Sequence, residues 1–136
     1  MNQIKKEDGK KYVRSLCENI IGQIRKCGAL PYAQRNMLIK DVEEIMAFSD
    51  NAFESSDPFM QNVDAMRAQG LWLPENINKK NVRAGYFNTA RGKAIKLYDK
   101  IKHTQKIIQS PQGGAVCGAI IEINNFLERV TDYDII

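Results

Sequence analysis

"RGKAIKLYDKIKHTQKII", residues 91–108, carries the strongest structural signal in the chain. Its apolar residues return every three or four positions, and nearly everything between them is Lys or Arg. Continued upstream, Phe87, Ala90, Ala94, Leu97, Ile101, Thr104 and Ile108 alternate spacings of three and four, the heptad seam of coiled-coil-like packing. This predicts a long fourth helix from about Asn78 to Ser110. The small Ala90 and Ala94 leave room for a neighbouring helix to approach closely.

A seam of that kind needs partners, and the rest of the chain supplies them at the same period. Val13, Leu16, Cys17, Ile20, Ile21 and Ile24 make one stripe, with Gly28 placed as a C-terminal cap. Pro31 suits the first turn of a second helix, whose inner side is Leu38, Val42, Ile45, Met46 and Phe53. In "SSDPF", residues 55–59, Asp57 can cap and Pro58 can open a short third helix with Phe59, Val63 and Met66 inward, ending at Gly70. "LWLPEN", residues 71–76, is an apolar connector whose Trp72 is expected to plug the end of the bundle. After "SPQGG", "AVCGAIIEINNFLERV" reads as a fifth helix with few charges, and Gly114 and Gly118 permit close helix contact. Strand-like alternation bounded by hairpin turns is missing.

The fold expected is therefore all-α: a four-helix bundle with one additional short helix. A chain of 136 residues fits one domain, with 1–9 and 131–136 frayed. Folding at this length buries roughly 65–70% of the extended surface, enough for a real core. Apolar runs fall short of the ~20 residues that cross a bilayer, and the charged "MNQIKKEDGKK" does not read as a secretory signal. A cytoplasmic protein with no membrane partner is expected.

In its layout "ALPYAQRNMLIKDVEEI", residues 29–45, is similar to small four-helix accessory proteins of mobile retroelements. The likeness spans one helix and a turn, no signature in the second half extends it, and it implies a role for no residue.

Net charge is +4, but it comes in blocks: +6 over residues 1–40, −7 over 41–75, +8 over 76–106 and −3 thereafter. Two arrangements compete. Acidic helices two and three can neutralise basic helices one and four within the fold, through ion pairs worth between roughly 0 and 1 kcal/mol each. Alternatively the basic helices share an exposed face. Lys93, Lys96, Lys100 and His103 form one row about 15 Å long at 1.5 Å of rise per residue, while Arg91, Lys102 and Lys106 lie on the other flank. Lys5, Lys6, Lys10, Lys11 and Arg14 make a second cluster. Lysine acts as a point charge, so such a surface contacts phosphates with little sequence preference.

Little catalytic chemistry is on offer. His103, the single histidine, sits among Lys102, Thr104 and Lys106 with no orienting partner. Asp41 with Glu44, and Asp50 with Glu54, can each share a helix face, but a carboxylate metal site needs acids converging from several helices. Cys17, Cys27 and Cys117 are widely spaced among apolar neighbours, as small buried hydrophobes would be. "QGGAVCGA" lacks the lysine and the leading strand of a phosphate loop.

These readings converge on a non-catalytic small helical binding protein with no metal and no small-molecule cofactor. It is expected to contact nucleic acid or a nucleoprotein complex through Arg91, Lys93, Lys96, Lys100, Lys102 and Lys106. The alternative is a protein–protein adaptor, inhibitor or structural subunit, with Leu71, Trp72 and Leu73 as anchor. Self-association fits either.

Overall fold

The computed structural model describes residues 2–54, 58–75 and 77–136. Helices α1 (Lys6–Lys26), α2 (Tyr32–Phe53), α4 (Lys79–His103) and α6 (Gly113–Val130) form the bundle; α3 (Pro58–Ala68) lies in the α2–α4 connection and α5 (Gln105–Ile108) in the α4–α6 connection. α1 packs against α2 and α6, and α4 packs against the same two, so α1 and α4 are diagonal. The acidic α2 is thereby flanked by both basic helices.

The core matches the predicted stripes. Val13, Cys17, Ile20, Ile24, Leu38, Val42, Ile45 and Phe53 are buried, with Leu16, Ile21 and Met46 half-buried at the edges. Phe87, Ala90, Ala94, Leu97 and Ile101 are all fully enclosed. Phe53 stacks edge-on against Phe87 with 5.1 Å between ring centroids and lies 6.4 Å from Phe126. Gly9 makes room for that ring: a Cβ there would stand 2.3 Å from it.

The long helix is shorter than its periodicity predicts. α4 opens at Asn78, whose side chain accepts from the Asn81 N–H at 2.9 Å, and ends at His103. Thr104 breaks it at φ −94°, ψ 92°; its N–H bonds to Ile101 O and its hydroxyl to Lys100 O at 2.7 Å. That hydroxyl offers the backbone an alternative to helix continuation. The break re-aims the α5 turn: Ile107 is buried at 1% exposure while Ile108, the predicted seam residue, is 39% exposed, and Thr104 is itself only half-buried.

Other details also differ. α3 turns Met60 and Val63 inward and leaves Phe59 and Met66 exposed. It ends as predicted, at Gly70 (φ 79°), where Gly70 N–H bonds to Arg67 O and Leu71 N–H to Met66 O, the two bonds of a Schellman cap. Gly28 adopts no left-handed conformation; α1 closes instead through Cys27 (φ −78°, ψ 82°), an inverse γ-turn in which Gly28 N–H bonds to Lys26 O. Pro31 is the residue just before α2. The predicted cap Asp57 lies outside the described residues.

Trp72 does not plug the bundle: it is 84% exposed. Gly114 and Gly118 face open space, and the close approach in α6 is at Gly113, where a Cβ would meet Ile107 O at 2.5 Å. The chain ends, expected to fray, pair instead. β1 (Gln3–Ile4) and β2 (Asp134–Ile135) form a two-residue parallel ladder, extended by Lys6 N–H to Ile136 O, and Ile4 and Ile135 pack on the core. Backbone groups next to an apolar anchor need partners, and the other end supplies them.

Candidate nucleic-acid interface

The helix order fixes where the cations go. On the α1 side of α2, Lys10 Nζ bonds to Glu54 Oε1 at 2.7 Å, Lys6 reaches Glu54 at 3.7 Å, and Arg14 forms a two-pronged pair with Asp50. The Lys10 ammonium holds the Glu54 carboxyl below its ordinary range, and the Glu54 carboxylate raises Lys10 in return. On the α4 side, Lys93 Nζ lies 3.1 Å from Glu44 and over the Phe48 ring, and Lys100 Nζ lies 2.7 Å from Asp41. All four acids that could have shared helix faces as metal ligands, Asp41, Glu44, Asp50 and Glu54, thus hold a cation of a neighbouring helix.

The six predicted binding residues therefore fall into two groups. Arg91 reaches Asn124 Oδ1 at 3.2 Å and Glu128 at 3.6 Å on α6, so with Lys93 and Lys100 it has a partner inside the fold. Lys96 and Lys106 are exposed and carry no ion pair among the described residues. Lys102 rests over the Tyr98 ring at 5.1 Å with its charge open to solvent. His103 Nδ1 sits 2.7 Å from Asp99 O in its own helix. The row along α4 is not a continuous basic stripe, because α2 interrupts it.

Cations without acids gather elsewhere, at the end of the bundle where α1 and α4 finish and α2 and α6 begin. Arg35 Nη1 donates to Arg25 O at 3.1 Å, joining α2 to the end of α1. Cys27 Sγ donates to Lys106 O at 3.8 Å, joining α1 to α5. Around these two links residues 25–41 carry four Lys or Arg against Asp41 alone, and residues 96–121 carry four Lys against Asp99 alone. Asp41 is already held by Lys100. Basic residues in the last turns of α1 and α4 also offset the helix dipoles. Lys106 stands likewise in the last turn of α5, and Arg35, near the start of α2, has no such role.

Sequence reasoning put Lys102 and Lys106 on the flank of one long helix and did not group them with Arg25, Lys26 and Arg35, which stand in a different charge block. The available signal was position: both groups flank a predicted connector, and short connections in an up-and-down bundle return alternate helix ends to one pole.

Near the opposite pole, the second predicted set stands in solvent. Leu71 and Trp72 are exposed and Leu73 half-buried, and Phe59 of α3 rims a shallow groove with Phe48, Val82 and Tyr86. Cys17 is inert, its thiol pushed up to about 12 by burial. Among the described residues no helix is long and apolar enough to cross a membrane. No protein-family model matches this chain, and no curated protein and no solved structure matches it.

Proposed function

We propose that the protein is a non-catalytic helical binding protein that contacts nucleic acid backbone through the basic end of its bundle. The observation that carries this reading is the convergence of Arg25, Lys26, Arg35, Lys102 and Lys106 from three segments onto one pole, where among the described residues none of the five holds a carboxylate. A concentrated positive surface attracts polyanions and speeds their encounter. Contacts made this way neutralise phosphates and carry little base information. Lys93 and Lys100 serve the fold instead.

The test is fluorescence anisotropy with labelled nucleic acid across a salt series. With about four phosphates neutralised, the logarithm of affinity falls with the logarithm of salt at a slope of about −3 to −4 on duplex DNA. The double variant Lys26→Glu, Lys106→Glu abolishes binding and lowers the thermal midpoint by no more than a few degrees, the cost of placing carboxylates at helix C-termini. Absence of binding at the lowest salt refutes the reading.

Trp72, 84% exposed beside exposed Leu71, supports the second reading, a protein–protein adaptor or subunit anchored at Leu71, Trp72 and Leu73. Tryptophan is enriched at interface hot spots. On that reading Trp72→Ala disables partner capture and leaves nucleic-acid affinity unchanged.

A further inference from the structure

We infer that the ligand of the basic end is unpaired nucleic acid, and that the ring of Tyr32 stacks on one of its bases. This rests on the nucleic-acid reading above and names its substrate class.

Tyr32 opens α2 directly after Pro31 and is 74% exposed. Side chains lean toward the N-terminus of their own helix, so from the first position of α2 this ring projects past the end of the bundle. Arg35 is one turn along, tied to Arg25, and Lys26 is exposed at the adjoining end of α1. Among the described residues Tyr32 stacks on no other ring. An exposed aromatic face thus stands beside the cations Arg25, Lys26 and Arg35.

That combination suits a single strand better than a duplex. A duplex is read by an element laid along its major groove, about 12 Å wide. The basic end presents helix termini and short connectors, and the flank of α4 that could lie in a groove has Lys93 and Lys100 committed to Glu44 and Asp41. A single strand requires only cations that track its backbone and an aromatic surface for its splayed bases. Stacking is tolerant of base identity, because every base offers a π-face.

Anisotropy with labelled oligo-dT, oligo-U and a duplex of equal length tests this on the full chain. Both single strands bind more tightly than the duplex. Tyr32→Ala weakens single-strand binding roughly tenfold, Tyr32→Trp restores it, and the duplex value stays unchanged. The thermal midpoint of each variant matches the parent, since the ring is in solvent. If Tyr32→Ala binds single strands as well as the parent does, or lowers duplex affinity equally, the stacking inference is overturned and the basic end stands. If no nucleic acid binds at low salt, both fail. A preference between oligo-dT and oligo-U decides whether DNA or RNA is the ligand.

Discussion

The waist of the bundle and its basic end are built from the same residue types and behave in opposite ways. At the waist, Lys93 and Lys100 each meet a carboxylate of α2, over a seam in which Leu97 and Ala94 are fully enclosed. At the end, Arg25, Lys26 and Lys106 pair with no acid among the described residues, and the backbone is a sequence of breaks at Cys27, Thr104 and Gln109–Gln112. The difference teaches that a lysine's role in this protein is set by which helix lies opposite. Where α2 is in reach, positive charge fixes the arrangement of helices. Beyond its first turn, the same charge is available to a ligand.

The strongest attack on the waist is Leu97→Asp. An unpaired carboxylate in the enclosed seam costs more than about 4 kcal/mol, comparable to the stability of a small domain, and the far-ultraviolet helical signal should be lost at room temperature. A folded Leu97→Asp protein would mean that the seam is not the core. Less drastic is Gly113→Ala at the end. The new Cβ collides with Ile107 O and crowds Ile108, which should destabilise by about 1–3 kcal/mol in urea unfolding. Gly118→Ala, in open space on the same helix, should instead gain up to about 1 kcal/mol from helix propensity.

Charge changes come next. Folding holds the Glu54 carboxyl below its ordinary value, so its pairing stabilises above the unfolded value near 4.5 and is lost as pH falls through the lower, folded value. Lys10 is raised, so its share is present below its unfolded value near 10.5 and is lost as pH rises through the folded one. Glu54→Gln should therefore flatten the fall of the thermal midpoint on acidification and leave a smaller midpoint at neutral pH. Smallest of all, Lys26→Glu should cost only about 0.5–1 kcal/mol, because among the described residues it breaks no ion pair and only reverses a favourable charge at the C-terminus of α1. A larger loss there would show that the end is held by its cations in the way the waist is.

Much of the waist was legible in advance. A spacing of three and four picks out Phe87, Ala90, Ala94, Leu97 and Ile101, and all five are buried, because burial on one helix face is a local property of the pattern. What the pattern could not supply was anything that depends on a second element. Ile107 and Ile108 are chemically identical, and only the Thr104 break decides which one enters the core. Phe59 and Met66 lie outward while Met60 and Val63 are buried, a choice that depends on what α3 packs against. The predicted binding set failed to separate Lys93 and Lys100 from Lys96 and Lys106 for the same reason. Spacing groups residues along one helix, while ion pairs join helices.

The parallel pairing of Gln3 with Asp134 and Ile4 with Ile135 has a consequence for how the protein assembles. These contacts span nearly the whole chain, and closing a flexible loop of that length costs about 4 kcal/mol of chain entropy, far more than two ladder bonds return. The pairing cannot therefore nucleate folding and must come after the docking of α1 on α6, which brings the two ends together. It is also the first contact released when the structure opens locally. In hydrogen exchange the amides of Lys6, Asp134 and Ile136 should exchange well before those of Leu97 and Ile101, and their rates would mark the lowest rung of the protein's opening ladder.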